Sequence, residues 1–255
     1  MNINIRNIDL EMSLILARIY KHIRIKSGMS TDILDTNFSK LDMTFYPLLA
    51  LLAAQGPKGI TKKNRTLAVA SQIIYLSTEI HNQIPEDCSD NYFTKQVQLP
   101  ILVGDLLYSR FYEVLCAEDC IEFLDYYVDY ISNLNIKWVD YLQNKISIED
   151  INISWYGEFA SLILMLNANV SGFNNYWIKI IKRYGFGLGG LLGVYKLNLN
   201  NSEAIKFWSI VQEAINLMPP GDIKDNFNLF AQDLYKNLFK NIIQEDIFLS
   251  VAAEN

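Results

Sequence analysis

The side chains best suited to metal or covalent chemistry are few in this sequence. Only two histidines occur, His22 and His81, too few for a multi-histidine zinc site or a histidine-dependent catalytic triad. Of the three cysteines, Cys88, Cys116 and Cys120, the last two are one helical turn apart and could share a soft metal. No other soft ligand lies near them in sequence, so buried structural thiols are the favoured reading and no metal is expected. Phe123, Tyr126, Tyr127 and Tyr130 read as a packed face or a subunit contact rather than a cofactor box. The densest glycine cluster is Gly185, Gly187, Gly189, Gly190 and Gly193. It does not reproduce the GxGxxG spacing of a dinucleotide site, and no strand precedes it. Glycine inside a helix costs about 1 kcal/mol relative to alanine. The cluster therefore needs a compensating reason, either close packing of another helix or room for a ligand beside the backbone.

These residues must be positioned by helices. Apolar residues recur at helical spacing nearly everywhere, as in Leu10, Leu14, Ala17 and Tyr20, or Val103, Leu106 and Val114, and no period-2 strand pattern competes. The pattern predicts helices over 9–25, 38–54, 62–84, 94–116, 117–143, 149–170, 174–197, 202–217 and 222–248. Gly56-Pro57, Ser171-Gly172, Asn198 to Asn201 and Pro219-Pro220-Gly221 punctuate them. Ser147 with Asp150 reads as a capping box for the helix that follows. With 51% hydrophobic residues and no break long enough for a linker, residues 1–255 are expected to form one large all-α bundle of about nine or ten helices.

The net charge of −6, without any basic concentration, argues against a nucleic-acid partner. The longest apolar runs, Leu48 to Ala54 and Phe159 to Leu166, fall well short of the ~18–20 residues of a bilayer span. No transmembrane segment is expected, and peripheral membrane contact stays open. An odd number of cysteines and no signal peptide make a cytoplasmic location the expectation.

Several segments, read in order, resemble the trans-prenyltransferase family, the polyprenyl diphosphate synthases. Pro47-Leu-Leu-Ala-Leu-Leu-Ala-Ala54 resembles the helix that follows the family's GKRLRP element. Thr78-Glu-Ile-His-Asn-Gln-Ile84 is similar to the helix end L-I-H-D-D-V, where the first aspartate-rich motif begins. Val97 to Leu107 resembles L-A-V-L-A-G-D-x-L, Leu166 to Gly172 resembles L-G-A-x-L-A-G, and Tyr184 to Gly189 resembles the Y-G-x-x-L-G that leads into F-Q-x-x-D-D. The match spans about Pro47 to Pro220, and the ordered set is more specific than any piece. It implies an isoprenoid synthase-like bundle.

In that family, carboxylates on two facing helices hold Mg²⁺ ions that bind the diphosphate of an allylic substrate. Where D-D-x-x-D would stand, this chain reads Asn82, Gln83 and, in third place, Glu86. Amides can ligate a hard cation but bring no charge. Where F-Q-x-x-D-D-x-x-D would stand, Leu192 and Gly193 replace the Phe and Gln, and Lys196, Leu197 and Asn200 replace the aspartates. K-R-x-R reads Met43-Thr44-Phe45-Tyr46, and the K-T pair corresponds to Trp155-Tyr156. Scaffold positions keep their character while the chemical ones lose it.

The resemblance therefore implies a non-catalytic small subunit, of component 1 type, of a two-component hexaprenyl or heptaprenyl diphosphate synthase serving quinone (menaquinone) biosynthesis. The catalytic large subunit would bind Mg²⁺. This chain would hold no cofactor or catalytic residue, would complete the dimer, and would shape the product tunnel, with Leu192 and Gly193 opening space beside it. Tyr108, Phe111 and Tyr112 on the helix 94–116 are the interface candidates, with a homodimer as the fallback. One alternative is a stand-alone pseudoenzyme holding an apolar isoprenoid. Another is a divergent active prenyltransferase.

Overall fold

The computed structural model describes residues 6–24, 38–84 and 95–239. Among them the chain forms α1 (Arg6–Ile23), α2 (Lys40–Ala53), α3 (Lys62–His81), α4 (Lys95–Ala117), α5 (Leu124–Leu142), α6 (Ile148–Val170), α7 (Asn175–Lys196), α8 (Asn201–Leu217) and α9 (Asp222–Leu238), with a 3-10 turn at Ile121–Phe123. The described residues contain no strand, as the helical periodicity predicts. Glu86 and Cys88 lie outside the described residues, and so does the expected last helix beyond Phe239.

Polar caps start most of these helices. Ser39 and Asp42 close a capping box on α2, Thr61 and Asn64 on α3, and the expected pair Ser147 and Asp150 on α6. Asn174 and Asn200 cap α7 and α8 through their side-chain oxygens. Each cap satisfies backbone N–H groups that the first turn leaves orphaned.

Four helix ends share one device. Asp119, Asn144, Gly172 and Asn198 have positive φ (54°, 57°, 80° and 51°). The next residue donates its N–H five positions back: Cys120 to Leu115, Lys145 to Asp140, Phe173 to Ala168, Leu199 to Val194. This is the Schellman arrangement. It corrects the expectation of a continuous helix over 117–143, because the left-handed Asp119 turns the chain and a 3-10 turn intervenes before α5.

The helices share one hydrophobic core, in which α6 and α7 form the most extensive pair. The glycine cluster explains why. A Cβ on Gly189 would lie 2.1 Å from the Tyr156 carbonyl oxygen, and one on Gly185 2.9 Å from that of Ala160. On the other side of α7, a Cβ on Gly190 would lie 2.1 Å from the Phe207 ring, and one on Gly187 would meet Val211 and the Phe207 backbone. Helices α6 and α8 thus approach α7 to backbone contact. Of the two explanations for the cluster, close packing is the one realised.

Candidate functional site

The family-like positions converge at one end of the bundle, where α2, α3, α6 and α7 meet. Asp42 on α2 is 5% exposed. Its carboxylate accepts from the Ser39 N–H (2.9 Å), the Ser39 hydroxyl (2.6 Å), the Tyr75 hydroxyl of α3 (2.9 Å) and the Lys196 ammonium at the end of α7. Its main-chain carbonyl accepts from Gln72 Nε2 at 2.8 Å. On α3, Glu79 accepts from the Tyr156 hydroxyl of α6 at 3.0 Å.

Burial pushes the Asp42 carboxyl up, but the hydrogen bonds from Lys196 and Ser39 outweigh it and hold the group below the ordinary aspartate range. Burial also raises Glu79, and here it wins, although the Lys196 charge and the Tyr156 hydroxyl oppose it. The Tyr156 phenol is raised as well, by burial and then by the Glu79 charge.

Behind this polar cluster the interior is aromatic. Tyr46 contacts Tyr75 (ring centroids 4.7 Å apart) and Phe159 (4.9 Å), and Phe159 stacks on Trp155 (5.4 Å) and Tyr130 (5.2 Å). Tyr130 donates to the Trp155 carbonyl at 3.0 Å. The Tyr46 hydroxyl is fully buried and has no partner among the described residues.

Lys196 faces Asp42, and Leu197 caps α7. Asn200 is spent on α8, its side-chain oxygen accepting from Glu203 N (3.2 Å) and from the Ser202 hydroxyl (2.5 Å). Asn82 caps the end of α3 and, like Gln83, is exposed. The expectation that Gly193 opens space fails. A Cβ there would lie 3.1 Å from Cδ2 of Tyr156, whose ring fills the place, and Leu192 is buried at 1% exposure. The sequence reading missed Asp42, Tyr75 and Glu79 as partners. Only Ser39-x-x-Asp42, a capping-box pattern, marked one of them.

The interface candidates lie elsewhere. Helix α4 packs on α3 and α5 on α6, and between α4 and α5 runs an open groove of about 570 Å³. Tyr108 and Tyr112 line its α4 side; Val128, Ile131, Ile136 and Val139 line its α5 side. The two tyrosine rings contact each other at 5.5 Å, and burial with Tyr112 alongside pushes the Tyr108 phenol up to about 12. Phe111, by contrast, is fully buried against Tyr127 in the chain's own core (5.0 Å). Leu102 on α4 and Leu142 on α5 are 66% and 75% exposed.

No family model and no curated protein matches this chain. Solved structures do. The chain is similar to geranylgeranyl pyrophosphate synthase from Corynebacterium glutamicum, complexed with calcium and isoprenyl diphosphate (TM-score 0.71, 14% identity, 91% of this chain and 96% of that one). It is also similar to heptaprenyl diphosphate synthase from Staphylococcus aureus (TM-score 0.67, 13% identity, 92% and 98%). A third likeness is to a deletion mutant of the heterotetrameric geranyl pyrophosphate synthase of mint (TM-score 0.59, 16% identity, 87% and 97%). The chain has the isoprenoid synthase fold.

The family resemblance implies a Mg²⁺ cluster, and the described residues at the end of α7 do not fit one. A hard cation facing diphosphate needs several anionic oxygens. The end of α7 offers an ammonium, an aliphatic side chain and a capping amide instead. Among the described residues, no group of three or more His, Cys, Asp or Glu is placed to hold a metal ion. No described helix of this isoprenoid synthase fold is long and apolar enough to cross a membrane.

Proposed function

We propose that this chain is the non-catalytic subunit of a heteromeric polyprenyl diphosphate synthase that makes a quinone side chain, and that it completes the dimer around a catalytic partner. One observation carries the reading. On α2, Asp42 precedes the stretch Met43 to Tyr46 that stands where the family sets cations, on α7 Lys196 stands where it sets a carboxylate, and the two bond each other. A diphosphate at this place would meet a carboxylate already paired with Lys196, the cation that the described residues bring to Asp42, so its leaving-group charge would go unstabilised.

In this reading the partner supplies Mg²⁺ and both diphosphate sites. It docks on the α4–α5 face, where half-buried tyrosines and exposed aliphatic groups offer the mixed surface that interfaces favour. This chain's part in the product tunnel lies on that face, since Tyr46, Tyr75, Tyr130 and Phe159 fill the interior. The same packing disfavours an emptied, lipid-holding cavity.

The test has two arms. The protein alone, given allylic and radiolabelled isopentenyl diphosphates with Mg²⁺, is expected to turn over below about 0.01 s⁻¹, against a common enzyme scale of about 1 s⁻¹ or more. Light scattering with a synthase subunit from the same genome that carries intact D-D-x-x-D motifs is expected to show a gain of mass. Tyr108→Asp with Tyr112→Asp should abolish that gain. Ordinary turnover by the isolated chain refutes the reading, and so does a monomer that never gains mass with such a partner.

A further inference from the structure

The ion pair at the mouth of the bundle has a second meaning. Lys196 is the last residue of α7 and its partner Asp42 is in the first turn of α2, 154 positions away in sequence. The Lys196 side chain is 24% exposed and Asp42 5%. Asp42 is also tied to α3 through the Tyr75 hydroxyl, at 2.9 Å. One turn further along α3, Glu79 is tied to α6 through Tyr156, at 3.0 Å. Lys196 is the cation that acts on both carboxylates.

We propose that Lys196 is a tethered counter-ion: its ammonium binds Asp42 and, through the Asp42–Tyr75 hydrogen bond, ties the C-terminal end of α7 to α2 and α3. The chain itself then supplies the positive charge that an ion bound between these helices would bring. A lysine suits the task, having a compact charge on a flexible stem. A tether also has an advantage over a free ion, since an attached charge loses no translational freedom when it docks. The inference shares this ion pair with the subunit reading, but its test reads stability, whereas that reading is tested by turnover and gain of mass.

Thermal unfolding of the full chain at pH 7 tests it with Lys196→Met, Asp42→Asn, their combination and Lys196→Arg. Stripping a buried carboxylate of its counter-ion is strongly destabilising, so Lys196→Met is expected to lower the Tm by about 6–12 °C. The double variant leaves neither charge orphaned and should recover at least half of that loss, while Lys196→Arg should stay closer to native than Lys196→Met. If Lys196→Met does not fold, the double variant must still do so. A loss below about 2 °C for Lys196→Met, additive losses in the double variant, or its failure to fold each overturn the proposal. Excess Mg²⁺ is the last arm: no change in the native Tm is expected. A rise that Asp42→Asn abolishes would mean that the native state binds an ion there, and the tether would be wrong.

Discussion

The mouth of the bundle and the groove between α4 and α5 are both lined with tyrosines, and they are finished in opposite ways. At the mouth, Tyr75 and Tyr156 spend their hydroxyls on Asp42 and Glu79, and their rings are buried with Tyr46 among other aromatics. In the groove, Tyr108 and Tyr112 are half-buried, and Val128, Ile136 and Val139 across from them are exposed. The first region is closed on itself. The second leaves apolar surface uncovered, the usual mark of a surface that meets another molecule. The side chains at the mouth satisfy one another, while the uncovered apolar surface lies on the outer helices.

The contrast can be broken hardest by forcing the interior apart. Gly189→Val would place its Cβ within 2.1 Å of the Tyr156 carbonyl and should cost about 3 kcal/mol or more, because backbone cannot yield as a side-chain tip does. Denaturant unfolding would show this as a large loss of midpoint. Phe159→Ala comes next. It empties the centre of the aromatic stack and should cost about 3–5 kcal/mol, whereas the same change in an exposed groove residue such as Val139 should stay within about 0.5 kcal/mol.

A smaller effect depends on pH. The folded-state pKa of Glu79 is raised above the ordinary 4.5, so its contribution to stability is present below that value and is lost as pH rises through the folded pKa. Glu79→Gln removes this titration. It should be more stable than native at neutral pH, and the gain should vanish in melts below about pH 4.5. A gain that grew on acidification would reverse the assignment. The smallest effect is that of Tyr46→Phe. Its hydroxyl is buried without a described partner, so deleting it should be neutral or stabilising by up to about 1 kcal/mol. A clear loss in calorimetry would reveal a partner for it.

Much of the architecture was legible in the sequence because helices write their own local signals. Ser147 and Asp150 three positions apart announced α6, and Gly172 and Asn198 marked ends where a left-handed residue was needed. Asp119 does the same work at the end of α4 but falls inside the predicted helix 117–143, since aspartate tolerates the left-handed region without advertising it as glycine does. At the mouth, Lys196 was legible as a cation standing where an aspartate is expected but not as the partner of Asp42. No periodicity links positions 154 apart. Glu79 escaped for a related reason: on a helix it looks like any solvated glutamate until α6 is laid over it. The volume argument at Gly193 failed because the missing bulk is supplied by a residue on another helix, Tyr156.

The backbone contact between α6 and α7 also bears on the order in which the chain assembles. The two helices are consecutive, joined through the turn at Ser171 to Asn174, so the loop closed when they meet is short and its entropy small. Their glycine seam is therefore a natural early nucleus. The Lys196–Asp42 bond, which joins positions 154 apart, is expected to form in the final steps. Stopped-flow chevrons should then divide the two: Gly185→Ala should chiefly slow refolding, while Lys196→Met should chiefly speed unfolding.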